Sequence, residues 1–119
     1  MNTVPAAGRD GVVRGAMMAV RGGFVLAILL GLGMWFSLWS SQAVLPFHIL
    51  GGGLVLLGVL VALVRTKAVM LVVALVAGIL GVVVAVGGFL ASVGVPHLVL
   101  MLLAVGLAEM TVAKLKKAA

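Results

Sequence analysis

The sequence predicts an all-α protein: an up-down bundle of four transmembrane helices, made of two parallel two-helix repeats, with the N and C termini in the cytoplasm. Three observations support this prediction. The 119 residues are 66% hydrophobic and only 8% charged. The chain contains four long apolar runs. Every lysine and arginine lies before the first run, between the second and third, or after the fourth.

The composition excludes several classes of protein. A soluble domain is roughly one quarter charged, and a disordered chain has low hydrophobicity. The absence of cysteine excludes a disulfide framework, an iron–sulfur site and a thiolate metal site. The net charge of +6 comes from bases that flank apolar runs, so we interpret it as a signal for membrane topology and anionic lipid and not for nucleic acid.

The four apolar runs are each long enough to cross the hydrocarbon core of a bilayer, which takes about 20 residues. We place them at Gly22–Trp39, Pro46–Val64, Ala68–Ala91 and Pro96–Ala113. The breaks between them are short, so neighbouring helices are expected to be antiparallel. Residues 1–21 then form a cytoplasmic segment, residues 22–67 the first two-helix repeat, and residues 68–119 the second repeat with a short basic tail.

The bases predict the orientation, since lysine and arginine are enriched on the cytoplasmic side of membrane proteins. All eight of them fall on one side of the predicted bundle: Arg9, Arg14, Arg21, Arg65, Lys67, Lys114, Lys116 and Lys117. This side is therefore predicted to be cytoplasmic, in what we expect to be a bacterial inner membrane. Trp35 and Trp39 then lie near the outer interface, which suits their amphipathic rings.

An internal repeat relates the two halves of the chain. An offset of 49 residues aligns His48 with His97, Arg65 with Lys114, and Lys67 with Lys116. Each half has two spans, so both halves share one orientation, and a pseudo-two-fold axis runs along the membrane normal. The two histidines are therefore expected at matching depths near the outer face, one or two residues into their helices.

These two histidines are the only ones in the chain, and ionisable residues inside spans are functional candidates. Each precedes a stripe of small residues on its own helix, which predicts that both face the bundle interior. Two inward imidazoles related by a two-fold axis suit a haem iron with two axial histidines, with small residues leaving room for the macrocycle. The predicted metal ligands are His48 and His97, and the predicted cofactor-binding residues are His48, His97, Gly51, Gly52, Val55, Met101 and Ala104.

The segments Pro46-Phe47-His48 and Pro96-His97, set in a four-span layout, resemble integral-membrane b-type cytochromes. In that family, histidine pairs on helices clamp haem inside a four-helix bundle. The resemblance implies haem b and one-electron transfer with a quinol or an extracytoplasmic redox protein, which makes an electron-transfer protein a better description than an enzyme. Larger members commonly carry two histidines on each ligand helix. This chain has one on each, which implies a single haem.

Other interpretations of the histidines stay open. Copper or zinc would also bind imidazole, with Met101 as a soft neighbour one turn from His97. Bacteriochlorophyll is a further ligand of histidine. Both residues would also be tolerated at a membrane interface without any ligand, and the chain would then be a cofactor-free accessory subunit of a larger membrane complex or a homo-oligomer.

Glu109 is the only acid within a predicted span. We expect it to pair with Arg65, Lys67 or the cluster at Lys114 near the inner interface. The alternative is a proton site in a small proton-coupled transporter, because four-span drug exporters resemble this chain in size. Their essential glutamate lies midway along the first helix, where this sequence has none.

Overall fold

A computed structural model describes residues 10–87 and 94–117 of the chain, and these residues form four α-helices. The helices are α1 (Gly11–Trp35), α2 (Ser41–Thr66), α3 (Val69–Gly87) and α4 (Gly94–Lys117). Each is long and apolar enough to cross a membrane. The predicted all-helical bundle of four candidate transmembrane helices is therefore confirmed.

Helix α1 differs most from its predicted bounds of Gly22–Trp39, since it begins at Gly11 and ends at Trp35. Its start is set by Asp10, whose side-chain oxygen accepts a hydrogen bond of 2.8 Å from the backbone N–H of Val12, as an N-cap residue does. Val13 and Val20 are fully buried within this first part of the helix. Residues 11–21 of the segment predicted to precede the bundle are thus part of α1.

The other ends also shift. Helix α2 begins at Ser41 and not at Pro46, so most of the predicted break between the first two apolar runs is helical. It ends at Thr66, beyond which Lys67 adopts a left-handed conformation (φ 57°). Helix α4 extends two residues earlier and four residues later than predicted. The predicted end of the third span at Ala91 lies outside the described residues.

Helices α1 and α2 pack closely because glycines face each other across them. A Cβ added to Gly23 would lie 2.5 Å from the carbonyl oxygen of Gly51, and one added to Gly58 would lie 2.5 Å from that of Ala16. No larger residue fits either position without separating the helices. In the second pair, Gly81 of α3 packs against the side chain of Met101 from α4, whose sulfur would lie 3.0 Å from an added Cβ.

The contacts between these two helix pairs are fewer than those within each pair. Leu56 of α2 packs on Gly78 of α3. Trp35 of α1 covers Gly94 at one end of α4, and Arg21 reaches Glu109 nearer the other end. The interface between the pairs is therefore the looser one, and it is where the two histidines meet.

The outer surface of the bundle is apolar. Within each candidate span only 22–28% of the residues are buried, and large side chains such as Leu29, Leu57 and Val86 are more than half exposed. A helix that is apolar on all sides needs an apolar environment. This exterior is consistent with a multi-pass membrane protein.

Candidate functional site

His48 of α2 and His97 of α4 face each other across the interface between the two helix pairs. Their ring centroids are 6.0 Å apart, and the ring planes are inclined by 63°. With metal–nitrogen bonds of about 2 Å, an ion lying between two imidazoles places their centroids roughly 6 Å apart. The two rings therefore already have a separation at which one metal ion could bind both.

Each imidazole is held by a backbone carbonyl of the helix with which its own helix is paired. The Nδ1 of His48 lies 2.7 Å from the carbonyl oxygen of Ala27 in α1. The Nδ1 of His97 lies 2.8 Å from the carbonyl oxygen of Gly81 in α3. A carbonyl only accepts, so Nδ1 donates the proton in both bonds, and a neutral ring then carries its lone pair on Nε2. Metal-binding histidines are oriented in this way.

The depths of the two histidines along their helices differ. His97 is the fourth residue of α4, whereas His48 is the eighth residue of α2 because that helix begins at Ser41. The prediction that each histidine lies one or two residues into its helix is therefore wrong for both, and the difference is larger for His48. The two rings still meet in the bundle because α2 begins four residues further ahead of its histidine than α4 does.

Three residues of the site were not predicted from the sequence, and the first of them is Ala27, whose carbonyl binds His48. A Cβ added to Gly31 of α1 would lie 2.9 Å from Cε1 of His48, so glycine is needed there to make room for the ring. Gly81 supplies the carbonyl that binds His97. Glycines on α1 and α3 suggest close packing, but a single sequence does not show which of them faces a histidine.

The residues of the predicted small-residue stripes have different surroundings in the bundle. Gly51 lies against α1, since an added Cβ would meet the carbonyl oxygen of Gly23 at 2.7 Å. The space beside Gly51 is thus filled by α1. Gly52, one turn from His48, has open space beside it. Met101, one turn from His97, is 9% exposed and packs on Gly81.

Val55 and Ala104 lie two turns beyond the histidines, about 10 Å along the helix axes. Both are fully buried. They therefore mark where the packed core of the bundle begins, and Gly52 and Met101 lie between this core and the imidazoles.

These residues fit a haem in three respects. Two imidazoles have the separation that one iron requires, each keeps Nε2 available, and Gly52, one turn from His48, has open space beside it. Among residues 10–87 and 94–117, no group of three or more histidine, cysteine, aspartate or glutamate side chains could hold a metal ion. A metal that takes its remaining ligands from a macrocycle suits a site with two protein donors.

Glu109 does not pair with the bases predicted for it. Its carboxylate receives two hydrogen bonds from the guanidinium of Arg21, at 2.7 and 3.1 Å. Arg21 was placed before the first helix by the sequence prediction, whereas it lies in the middle of α1 and faces α4. A two-pronged arginine pair is geometrically specific, and this one joins α1 to α4.

The second ion pair joins Asp10 to Arg65 at the opposite end of α2 from His48, with the Arg65 Nε 2.9 Å from the carboxylate. The pKa of Asp10 is lowered, first by the hydrogen bond from the Val12 backbone and then by the Arg65 guanidinium. Asp10 and Glu109 are the only acidic residues in the sequence, and each of them is paired with an arginine.

Comparisons with protein-family models, with curated proteins and with solved structures find no match for this chain. Its function is therefore argued from the site itself.

Proposed function

We propose that the chain is a minimal b-type cytochrome of the membrane, in which His48 and His97 hold one haem b near the outer face. The observation that carries the proposal is the histidine pair: two rings 6.0 Å apart, each with Nδ1 bound to a carbonyl. It would transfer single electrons with a quinol or with an extracytoplasmic redox protein.

The placement in the membrane belongs to the same proposal. The bundle runs up and down with both termini in the cytoplasm, in a bacterial inner membrane. One end of the bundle carries Arg65, Lys67 and the lysines at the end of α4. The other end carries Trp35 and Trp39. This distribution of charge and indole supports the orientation.

Haem, when bound, supplies an iron that changes its oxidation state by one electron. His48 and His97 would both hold that iron, which would keep small substrates from it. The carbonyls of Ala27 and Gly81 fix the tautomer of each ligand and raise its basicity. Because the ligands come from different helix pairs, haem binding would also join the two pairs where they pack loosely.

Tryptophan fluorescence provides a test in detergent solution. Trp39 covers Gly33, two residues from the Gly31 that makes room for His48, and Trp35 lies against Gly94, three residues before His97. Both indoles are therefore close to the histidines. Haem is an efficient acceptor of tryptophan excitation energy. Titration of the haem-free protein with haem should quench the fluorescence and saturate at one haem per chain, whereas His48→Ala and His97→Ala should each abolish saturable quenching.

Glu109→Gln is the matched control, because it removes a polar contact in the bundle without touching the histidines. It should bind haem like the original chain. Equal quenching in the histidine variants and the original chain would contradict the proposal. Loss of haem in Glu109→Gln with retention in the histidine variants would do the same and would favour a function centred on Glu109.

A further inference from the structure

An apolar groove lies between α3 and α4 at the basic end of the bundle. Its volume is about 250 Å³. Its walls come from one residue of α3 and five of α4: Met70, Leu107, Met110, Thr111, Lys114 and Leu115. The groove is at the end of α4 away from His97, so it is separate from the haem site.

The groove has a polarity along its length. Leu107 is followed by lining residues three, four and seven positions later, at Met110, Thr111 and Lys114. This spacing puts the four residues on one face of α4 over about 10 Å. Leu107 and Met110 form the apolar part toward the middle of the helix. Lys114, which is exposed, stands at the end where α4 leaves its apolar run. An amphiphile with a negative head and an apolar tail has the same polarity.

Within residues 10–87 and 94–117, neither acidic side chain pairs with this lysine. The sequence has two acids, and both are bound to arginines, Asp10 to Arg65 and Glu109 to Arg21. The hydroxyl of Thr111, also in the groove, donates to the carbonyl oxygen of Leu107 at 2.6 Å. Neither acidic side chain is therefore the counter-charge of Lys114, and the phosphate of a lipid is an anion that could take this place.

We propose that this groove binds one anionic phospholipid, with the phosphate at Lys114 and an acyl chain along Met110 and Leu107. Anionic lipids are drawn to juxtamembrane lysines, and the apolar wall adds the burial of methylene groups. A second copy of this chain is a poorer occupant, because it would bring another strongly basic surface of net charge +6 against Lys114. The site rests on the placement of the bundle in a membrane and is independent of haem.

Native mass spectrometry of the full chain in detergent tests the proposal by titration with dioleoylphosphatidylglycerol or dioleoylphosphatidylcholine. The anionic lipid should give a saturable one-to-one adduct, and the zwitterionic lipid should bind at least several-fold more weakly. Lys114→Gln should weaken the anionic lipid about fivefold, as expected for one lysine near a charged surface. Lys117→Gln, which removes the same charge outside the groove, should change the affinity less than twofold.

The variant Met110→Trp tests the apolar part with the charge left in place, and it should weaken the anionic lipid by narrowing the groove. Equal weakening by Lys114→Gln and Lys117→Gln would overturn the proposal, because it would show attraction to the lysine cluster as a whole. Equal binding of the two lipids would overturn it, as would Met110→Trp binding like the original chain. Inorganic phosphate that displaces the lipid at millimolar concentration would show that the headgroup alone binds, and would also overturn it.

Discussion

Three consecutive glycines show how much the position of a residue decides its role. Gly51 faces the backbone of α1, where an added Cβ would lie 2.7 Å from the carbonyl oxygen of Gly23, whereas Gly52 and Gly53 have open space beside them. Gly51 therefore serves the packing of α1 on α2. Gly52 is on the histidine side of the helix and Gly53 is exposed, so the two are a matched pair for testing the site.

Gly52→Leu is expected to abolish haem binding and to leave the bundle folded. The leucine side chain would fill the open space one turn from His48. Leucine also favours a helix more than glycine does, since glycine is about 0.8–1 kcal/mol less favourable than alanine and leucine ranks next to alanine. Gly53→Leu has the same helix propensity and leaves the site open, so it should bind haem normally. Haem content per chain and thermal unfolding measured on both variants check this, and equal haem content would contradict the open space as part of the site.

At the scale of the helices, the number and apolarity of the elements could be predicted from the sequence, but their ends could not. Arg14 and Arg21 suggest a polar segment ahead of the membrane, yet both lie in α1. Arginine is compatible with a helix, and Arg21 is satisfied by Glu109 on α4. A pairing between residues 88 positions apart is decided by tertiary packing, which local sequence does not show.

The start of α1 depends on the charge of Asp10, which predicts a dependence of stability on pH. The folded-state pKa of Asp10 is lowered from its ordinary value of 3.8 by the Val12 N–H and Arg65. The stabilisation is therefore fully present above pH 3.8 and is lost as the pH falls through the lower folded value. Asp10→Asn keeps a capping oxygen and loses the ion pair.

Amide hydrogen exchange in the first turns of α1 measures this effect. At pH 6 these amides should exchange faster in Asp10→Asn than in the original chain. The difference should shrink as the pH is lowered below 3.8, because the original chain then loses the same charge. A difference that stays constant down to pH 2.5 would mean that the ion pair does not hold this helix start.

At the scale of the whole molecule, the histidine pair could be predicted because the repeat brings one histidine to the same region of each half. The residues that contact the two histidines could not be predicted from the sequence. Which glycine makes room for His48, and which carbonyl holds His97, depends on the height at which α1 and α3 pass the ligand helices. That height is set by side chains distributed along both helix pairs, and no short motif records it.

The proposed topology predicts which ends of the bundle are accessible from outside the cell. The chain has no cysteine, so single cysteines report cleanly. Ser40 caps α2 without a side-chain hydrogen bond, and Lys117 is exposed at the end of α4. A membrane-impermeant maleimide should label Ser40→Cys in intact bacterial cells, and Lys117→Cys only after permeabilisation. The reverse pattern would invert the orientation, and labelling of both in intact cells would rule out the three crossings that α2, α3 and α4 make between them.

The most direct test of the account is the visible absorption spectrum of the detergent-purified protein, recorded oxidised and then reduced with dithionite. A single haem held by His48 and His97 predicts a sharp Soret band and resolved α and β bands on reduction, as a low-spin iron with two nitrogen ligands gives. Both His48→Ala and His97→Ala should lose this spectrum. A protein that stays colourless after haem is supplied, or one whose spectrum survives both substitutions, would contradict the claim that these two histidines hold a haem.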